Sequence, residues 1–257
     1  MQHQHEFHSW FVVLSLLIWP VLGFLEVYYS YFPFMQEEQT GLAGAGRELL
    51  AFLATGYMCY TCFWSMVQNA WSMAWSERKN GTLEIRYLTP ANRIAMNVGR
   101  TLGALIQQVW MFVSFCLFIL LYTGSIRRDN WYLLPMTFVL LIISSCIWGG
   151  MLNAISLFSR DADIIMNLFE MPMLLFSGTR VPVGVFPAWA KEISMLFPLT
   201  YCLNIIRFIL HIENGSDNWK IDGLMLALCL IVMVGITLCL LKFAEKRNRE
   251  TGEMQFY

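Results

Sequence analysis

The feature that most limits this chain is a set of apolar runs too long to fold in water. Six can be marked, at about 10–32, 48–75, 98–123, 131–157, 164–177 and 221–243. A helix needs roughly 20 apolar residues to cross the hydrocarbon layer of a bilayer, and five of the six runs reach that length. Inside hydrocarbon every backbone N–H and C=O must find its partner within the protein, so the runs predict helices and an all-α integral membrane protein. Composition agrees: the chain is 57% hydrophobic and only 14% charged, where soluble domains carry about 25% charged residues. A net charge of −1 offers no field to attract nucleic acid. The first run exceeds the roughly 7–15 residues of a secretory signal's apolar region and follows no basic segment, so it is expected to remain as a first span.

The fifth run is half-length and continues into a Gly/Pro-punctuated stretch, Gly178 to Pro198, followed by apolar sequence to Ile212. A short span followed by Pro-broken apolar sequence predicts a re-entrant helical hairpin over 178–212, before the last span. Such backbone is tolerated at membrane depth only where protein or a watery cavity covers it. Basic residues set the orientation. With both termini cytoplasmic, the inner loops and tail collect Arg78, Lys79, Arg86, Arg93, Arg100, Arg160, Lys242, Lys246, Arg247 and Arg249. The outer loops hold Arg47, Arg127, Arg128 and Lys220, with Arg180, Lys191 and Arg207 in or near the hairpin. Arg127 and Arg128 oppose the rule, but the balance favours cytoplasmic termini.

That orientation puts the most polar stretch, residues 76–93, in the cytoplasm. Its Asn80-Gly81-Thr82 has the form of a glycosylation site, which cytoplasmic placement excludes; Asn-Gly then reads as a turn, because both residues tolerate positive φ. A second sequon, Asn214-Gly215-Ser216, falls outside. Leu83 and Tyr87 stand four apart, with Glu84 and Arg86 facing elsewhere, the pattern of a short amphipathic helix. Thr89-Pro90 has the form of an N-cap followed by a first helical position. The stretch therefore predicts the end of one helix, a turn, a surface helix, and a new helix returning to the membrane.

"ERKNGTLEIRYLTPANR", residues 77–93, resembles the cytoplasmic loop of ABC-2 type permeases, the membrane subunits of ABC exporters. "FSGTRVPVGVFPAWAKEISMLFPLTYCLNIIR", residues 176–207, is similar to that family's stretch between the fifth and sixth spans. The two motifs lie in the family's order within a six-span layout, and the likeness covers roughly 50–245. It implies that the surface element is a coupling helix seated in a cleft of an ATPase subunit. Leu83, Tyr87 and Leu88 would be the anchors and Glu77, Arg78, Glu84 and Arg86 the polar rim, with Gly81, Thr82 and Pro90 shaping the turn and helix start. A plain solvated loop is the competing reading. The resemblance also implies a gate built on Gly178, Pro182, Pro187, Trp189, Pro198, Tyr201 and Arg207. It implies two copies of an ATPase and a second permease copy or a paralogue, in a bacterial inner membrane among lipids. The chain has no Gly-x-x-x-x-Gly-Lys-Ser/Thr phosphate cradle, so it is expected to carry no cofactor, with ATP and Mg²⁺ held by the ATPase.

Polar residues within the runs are the remaining candidates, since intramembrane polar groups usually face a bundle interior or a watery cavity. Ala95, Gly99 and Gly103 form a small-residue stripe suited to close helix approach, within the chain or between permeases. Arg93, Asn97, Arg100 and Gln107 carry polar groups inward along another face. Glu26 lies toward the outer end of its span. Glu170 lies deeper, near Asn167 and Arg160, and precedes Pro172. Each acid could line a pathway, or in the case of Glu170 form a hydrogen-bonded pair that fixes the bundle. Cys59-Tyr60-Thr61-Cys62 has redox spacing but sits mid-span, where packing is the better account. His3, His5 and His8 suggest a metal only weakly. Tyr28, Tyr29, Tyr31, Phe32, Trp10 and Trp189 read as interfacial aromatics. No catalytic constellation is present.

Overall fold

The structure, a computed structural model, describes residues 10–37, 45–79, 109, 112, 113, 117, 133–156, 162–210, 212 and 219–251. Seven α-helices lie among these residues: α1 (Trp10–Glu37), α2 (Ala45–Lys79), α3 (Leu133–Ser156), α4 (Ala162–Phe176), α5 (Ala188–Ser194), α6 (Pro198–Ile209) and α7 (Trp219–Thr251). Val109, Phe112, Val113 and Leu117, within the run at 98–123, are also helical, and Phe112 packs on Phe138 of α3 with ring centroids 4.6 Å apart. Among the described residues, three segments are long and apolar enough to cross a membrane: Glu48–Asn69, Leu133–Ser156 and Trp219–Phe243. α2 and α7 continue past the ends of their apolar runs, because the flanking Glu, Lys and Arg are good helix formers and need no hydrocarbon.

Burial ranks the spans. The Glu48–Asn69 segment of α2 is 78% buried, Leu133–Ser156 is 44% and Trp219–Phe243 only 17%. α2 is therefore the central post, with α1, α3 and α6 against it and α7 at the edge on α3 and α6. Lipid is as apolar as leucine, so helices associate here through close fit rather than hydrophobic drive. α2 offers small or slim residues for that fit, Ala51, Ala54, Thr55, Gly56, Cys59 and Cys62, all buried. Its Phe63, Trp64 and Val67 pack in one core with Leu141, Trp148 and Leu152 of α3 and Leu199, Leu203 and Ile206 of α6. Hydroxyls in these helices return to carbonyls of the preceding turn: Thr55 to Ala51 and Phe52, Ser144 to Leu140, Ser145 to Ile142. That keeps polar side chains satisfied without water.

The segment between α4 and α7 departs from straight spans. α4 runs through Pro172 and ends at Phe176. There Gly178 adopts φ +81°, the left-handed conformation that terminates helices and that a Cβ would strain. The carbonyls left over at that end are claimed locally, Met173 O by the backbone N–H and hydroxyl of Ser177, and Leu174 O by Thr179 Oγ1 at 2.6 Å. A 3₁₀ turn (Val183–Val185) and α5 follow, each with a proline as its N-cap, Pro182 and Pro187. Pro198 occupies the first turn of α6, where a missing N–H costs nothing. α5 and α6 meet at 91°.

Side chains of α6 close the corner. Thr200 Oγ1 donates to Ser194 O at 2.9 Å, and the Tyr201 hydroxyl donates to Met195 O at 2.9 Å. Pro-Leu-Thr-Tyr thus starts a helix and satisfies the end of the one before it. Nine of the twelve α6 residues are buried: Leu199, Leu203 and Ile206 face the main core, while Cys202, Ile205 and Ile209 meet Leu226 and Leu230 of α7. Only Tyr201, Asn204 and Phe208, along one stripe, are half-buried, and such cover is what irregular backbone at membrane depth requires.

Thr200→Val keeps the shape but removes one of the two hydrogen bonds that Ser194 O accepts, the other coming from the Phe197 N–H, so it is expected to cost about 0.5–1.5 kcal/mol. Thr200→Ser retains the hydroxyl and is expected to lose far less. Thermal unfolding of the two variants in lipid nanodiscs checks this; equal midpoints would remove the corner hydrogen bond from the account.

Candidate functional site

One of the functional candidates, an arginine, sits at the centre of a cluster near the Ala45 end of α2. Arg207, in the last turn of α6, is 1% exposed. Its guanidinium carbon lies 3.6 Å from the ring centroid of Phe52. Nη2 donates to Phe52 O at 3.4 Å and to Thr179 O at 3.5 Å, both long, and Nε has no hydrogen-bond partner. Among the described residues no carboxylate pairs with it.

A guanidinium out of water costs several kcal/mol, and three features offset that here. The face of Phe52 attracts the cation by about 2 kcal/mol when desolvated. Two backbone carbonyls present their negative ends. The C-terminal end of α6 carries the negative pole of the helix dipole beside the charge. Arginine meets all three at once because its plane stacks while its edge donates; lysine is a point charge without that fork.

The turn carrying Thr179 O is seated on α2 by Gly56. A Cβ built at Gly56 would stand 1.9 Å from Thr179 O and 2.8 Å from its carbonyl carbon, so only glycine lets the two backbones meet. Gly178 contributes from the other side: a Cβ there would lie 2.8 Å from Val183 Cγ2 and 3.9 Å from Arg207 Nη1. Phe52, Gly56, Gly178, Thr179 and Arg207 therefore form one knot joining α2, the end of α4 and α6.

Beside the knot, Val27, Leu53, Tyr57, Tyr60, Leu174, Thr179 and Arg180 line a cavity of about 40 Å³. Tyr60 donates to Glu170 Oε1 at 3.0 Å, linking α2 to α4 across 110 residues of sequence, and its ring stacks on Trp64. The cavity suits a few waters, well short of the roughly 300–1,000 Å³ that drug-sized ligands occupy.

The other candidates scatter. Glu26 is exposed on α1 and Asn167 exposed on α4, while half-buried Glu170 turns toward Tyr60. Trp189 is 60% exposed, its ring edge-on to Phe176. Pro182, Pro187, Pro198 and Tyr201 act on backbone geometry as described above. Glu77 and Arg78 belong to the helical backbone of α2. Gly81, Thr82, Leu83, Glu84, Arg86, Tyr87, Leu88, Pro90, Arg100 and Gln107 lie outside the described residues, as does the small-residue stripe at 95–103.

Sequence reasoning passed over Phe52, Gly56 and Tyr60, which look like ordinary members of an apolar run, and gave no role to Thr179 within the 176–207 stretch. It also passed over Asp222, which is 8% exposed in the first turn of α7 and accepts from Asn204 Nδ2 at 3.5 Å. An acid at a helix start, where the dipole favours it, was the available signal.

Among known families, the model described as ABC-2 type transporter matches residues 7–211. The match takes in α1 through α6 and the polar stretch at 76–93. Comparison with curated proteins gives no match.

Gly56→Ala is expected to destabilise the fold even though alanine is the better helix former by about 1 kcal/mol, because backbone rather than a mobile side chain blocks the new methyl. Gly149→Ala is the control: its Cβ would meet Val67 Cγ1 at an ordinary 3.8 Å. A lowered midpoint for the first and an unchanged or raised one for the second, read by thermal unfolding, is the expected pair. Tolerance of both would mean the turn and α2 do not depend on contact at Gly56.

Proposed function

The chain belongs to the ABC-2 type transporter family, membrane subunits of ABC transporters, and from that premise we propose that it exports an amphipathic small molecule or peptide. The cargo leaves the cytoplasm or inner leaflet of a bacterial inner membrane, and a separate ATPase subunit supplies the energy. Two ATPases act on a pair of permeases, this chain with a second copy or a paralogue, all termini cytoplasmic.

The observation that carries this reading is the length of α2. Its 35 residues make a helix about 52 Å long at ~1.5 Å per residue, roughly 20 Å more than a hydrocarbon layer of about 30 Å. The excess leads straight into the polar stretch that begins at Glu77. That gives an ATPase a rigid handle, with Leu83, Tyr87 and Leu88 as the gripped anchors and Glu77, Arg78, Glu84 and Arg86 at the rim. The α5–α6 corner, with Gly178, Pro182, Pro187, Trp189, Pro198, Tyr201 and Arg207, forms the outer gate as a re-entrant hairpin. In this reading the conduit is formed between the two permeases. Glu26, Arg100, Gln107, Asn167 and Glu170 are the polar groups available along it or within the bundle.

ATP can reorient the permeases only by favouring one arrangement over another, so the grip must survive the cycle. Leu83→Ala is expected to weaken binding of the ATPase subunit by roughly tenfold, as loss of an interface anchor does. Reversal of Arg78 or Glu84 is expected to leave an assembled complex whose ATP hydrolysis no longer drives transport. Binding is measured on the purified subunits, and coupling in proteoliposomes across a panel of fluorescent amphiphiles and peptides. Variants that assemble and export at the native rate would sink the coupling assignment. An ATPase rate that no cargo in the panel alters would favour a scaffold over a conduit.

A further inference from the structure

We propose that Arg207 is a positioning residue that ties the α5–α6 hairpin to α2, so that the hairpin travels with α2 as one rigid body. The inference rests on the reading that motion enters at the Lys79 end of α2, and it says where that motion goes.

The bonds between hairpin and post come from different chemistry and converge on a single turn of α2. Arg207 stacks on the Phe52 ring at 3.6 Å and reaches Phe52 O. The same Nη2 reaches Thr179 O, and that carbonyl rests where Gly56 has no side chain. Leu199, Leu203 and Ile206 of α6 continue the contact into the core shared by α2 and α3. A shift of the hairpin along α2 would pull a buried cation from its aromatic face and carbonyls with no carboxylate among the described residues to receive it. Uncompensated burial of charge is among the most costly changes a core can undergo, so the knot resists sliding more strongly than apolar packing alone would.

The hairpin's tie to its own neighbour in sequence is of another kind. α4 joins it through Gly178, a 3₁₀ turn and two prolines, and α4 meets α2 through the Tyr60–Glu170 hydrogen bond. Along α2 itself, residues 57–79 contain neither glycine nor proline, the usual origins of kinks. A displacement at one end of that helix is therefore delivered to the other.

The test uses the full chain in complex with its ATPase subunit in lipid nanodiscs. Spin-labelled non-natural amino acids replace Glu48 on α2 and Glu192 on α5, both exposed, which leaves the native cysteines in place. Wild type is expected to give one narrow distance distribution that does not move between the nucleotide-free complex and the complex trapped with ADP and vanadate. In Arg207→Gln the distribution is expected to broaden or split. A wild-type distance that shifts on trapping overturns the proposal, and this reading needs no variant to fold. An Arg207→Gln distribution as narrow as wild type, at the same distance, also overturns it. Failure of any ATPase to bind would instead count against the functional reading, and comparison of wild type with Arg207→Gln in the permease alone would still decide the tie.

Discussion

The constraint on which the structure depends is that no backbone polar group can be abandoned at membrane depth. Straight spans meet it by their own hydrogen bonds. The broken segment from Ser177 to Phe197 cannot, and its solution organises the rest of the molecule. Ser177 and Thr179 hydroxyls close the end of α4, Thr200 and Tyr201 close the end of α5, and Arg207 reaches the carbonyl of Thr179. Thr200, Tyr201 and Arg207 all reach back from α6, so the corner and the bundle stabilise one another.

That dependence explains why α6, only twelve residues long, is so thoroughly enclosed. It stands between the central post and the lipid-facing α7, and it brings a charge with it. A guanidinium in such a place is tolerated because stacking, carbonyls and a helix terminus share the electrostatic load. The arrangement is rigid for the same reason. Removing any one contributor leaves the charge worse off, so the knot has one good geometry rather than several. On the proposed function, a firm tie at this end of α2 and a polar extension at the other suit the helix to carrying motion across a bilayer.

Much of the architecture could be read along the chain. The apolar runs locate α1, α2, α3, α4 and α7 to within several residues, since hydrocarbon thickness sets a length that composition must match. The prolines at 182, 187 and 198 mark where short helices begin, and Gly178 marks where α4 stops. The candidate site was legible only in part. Glu170 drew attention as a carboxylate in an apolar run, but its partner Tyr60 lay in another run and resembled packing. Asn167, three residues before it, is exposed. The continuation of α2 to Lys79 was legible, because Asn80-Gly81 marks a turn and the polar residues before it are good helix formers.

By itself, then, the sequence determined that this chain lives in a membrane, that it is helical, and where its helices break, because those outcomes follow from transfer energetics and local backbone geometry. Tertiary structure decided which helix is the post and what holds the hairpin to it. Phe52 and Arg207 are 155 residues apart, and nothing local in either stretch signals the other. Gly56 is one glycine in a span until the backbone of Thr179 is laid across it. Contacts of that kind depend on which faces meet, and in lipid that is settled by fit between surfaces rather than by the hydrophobicity a sequence displays.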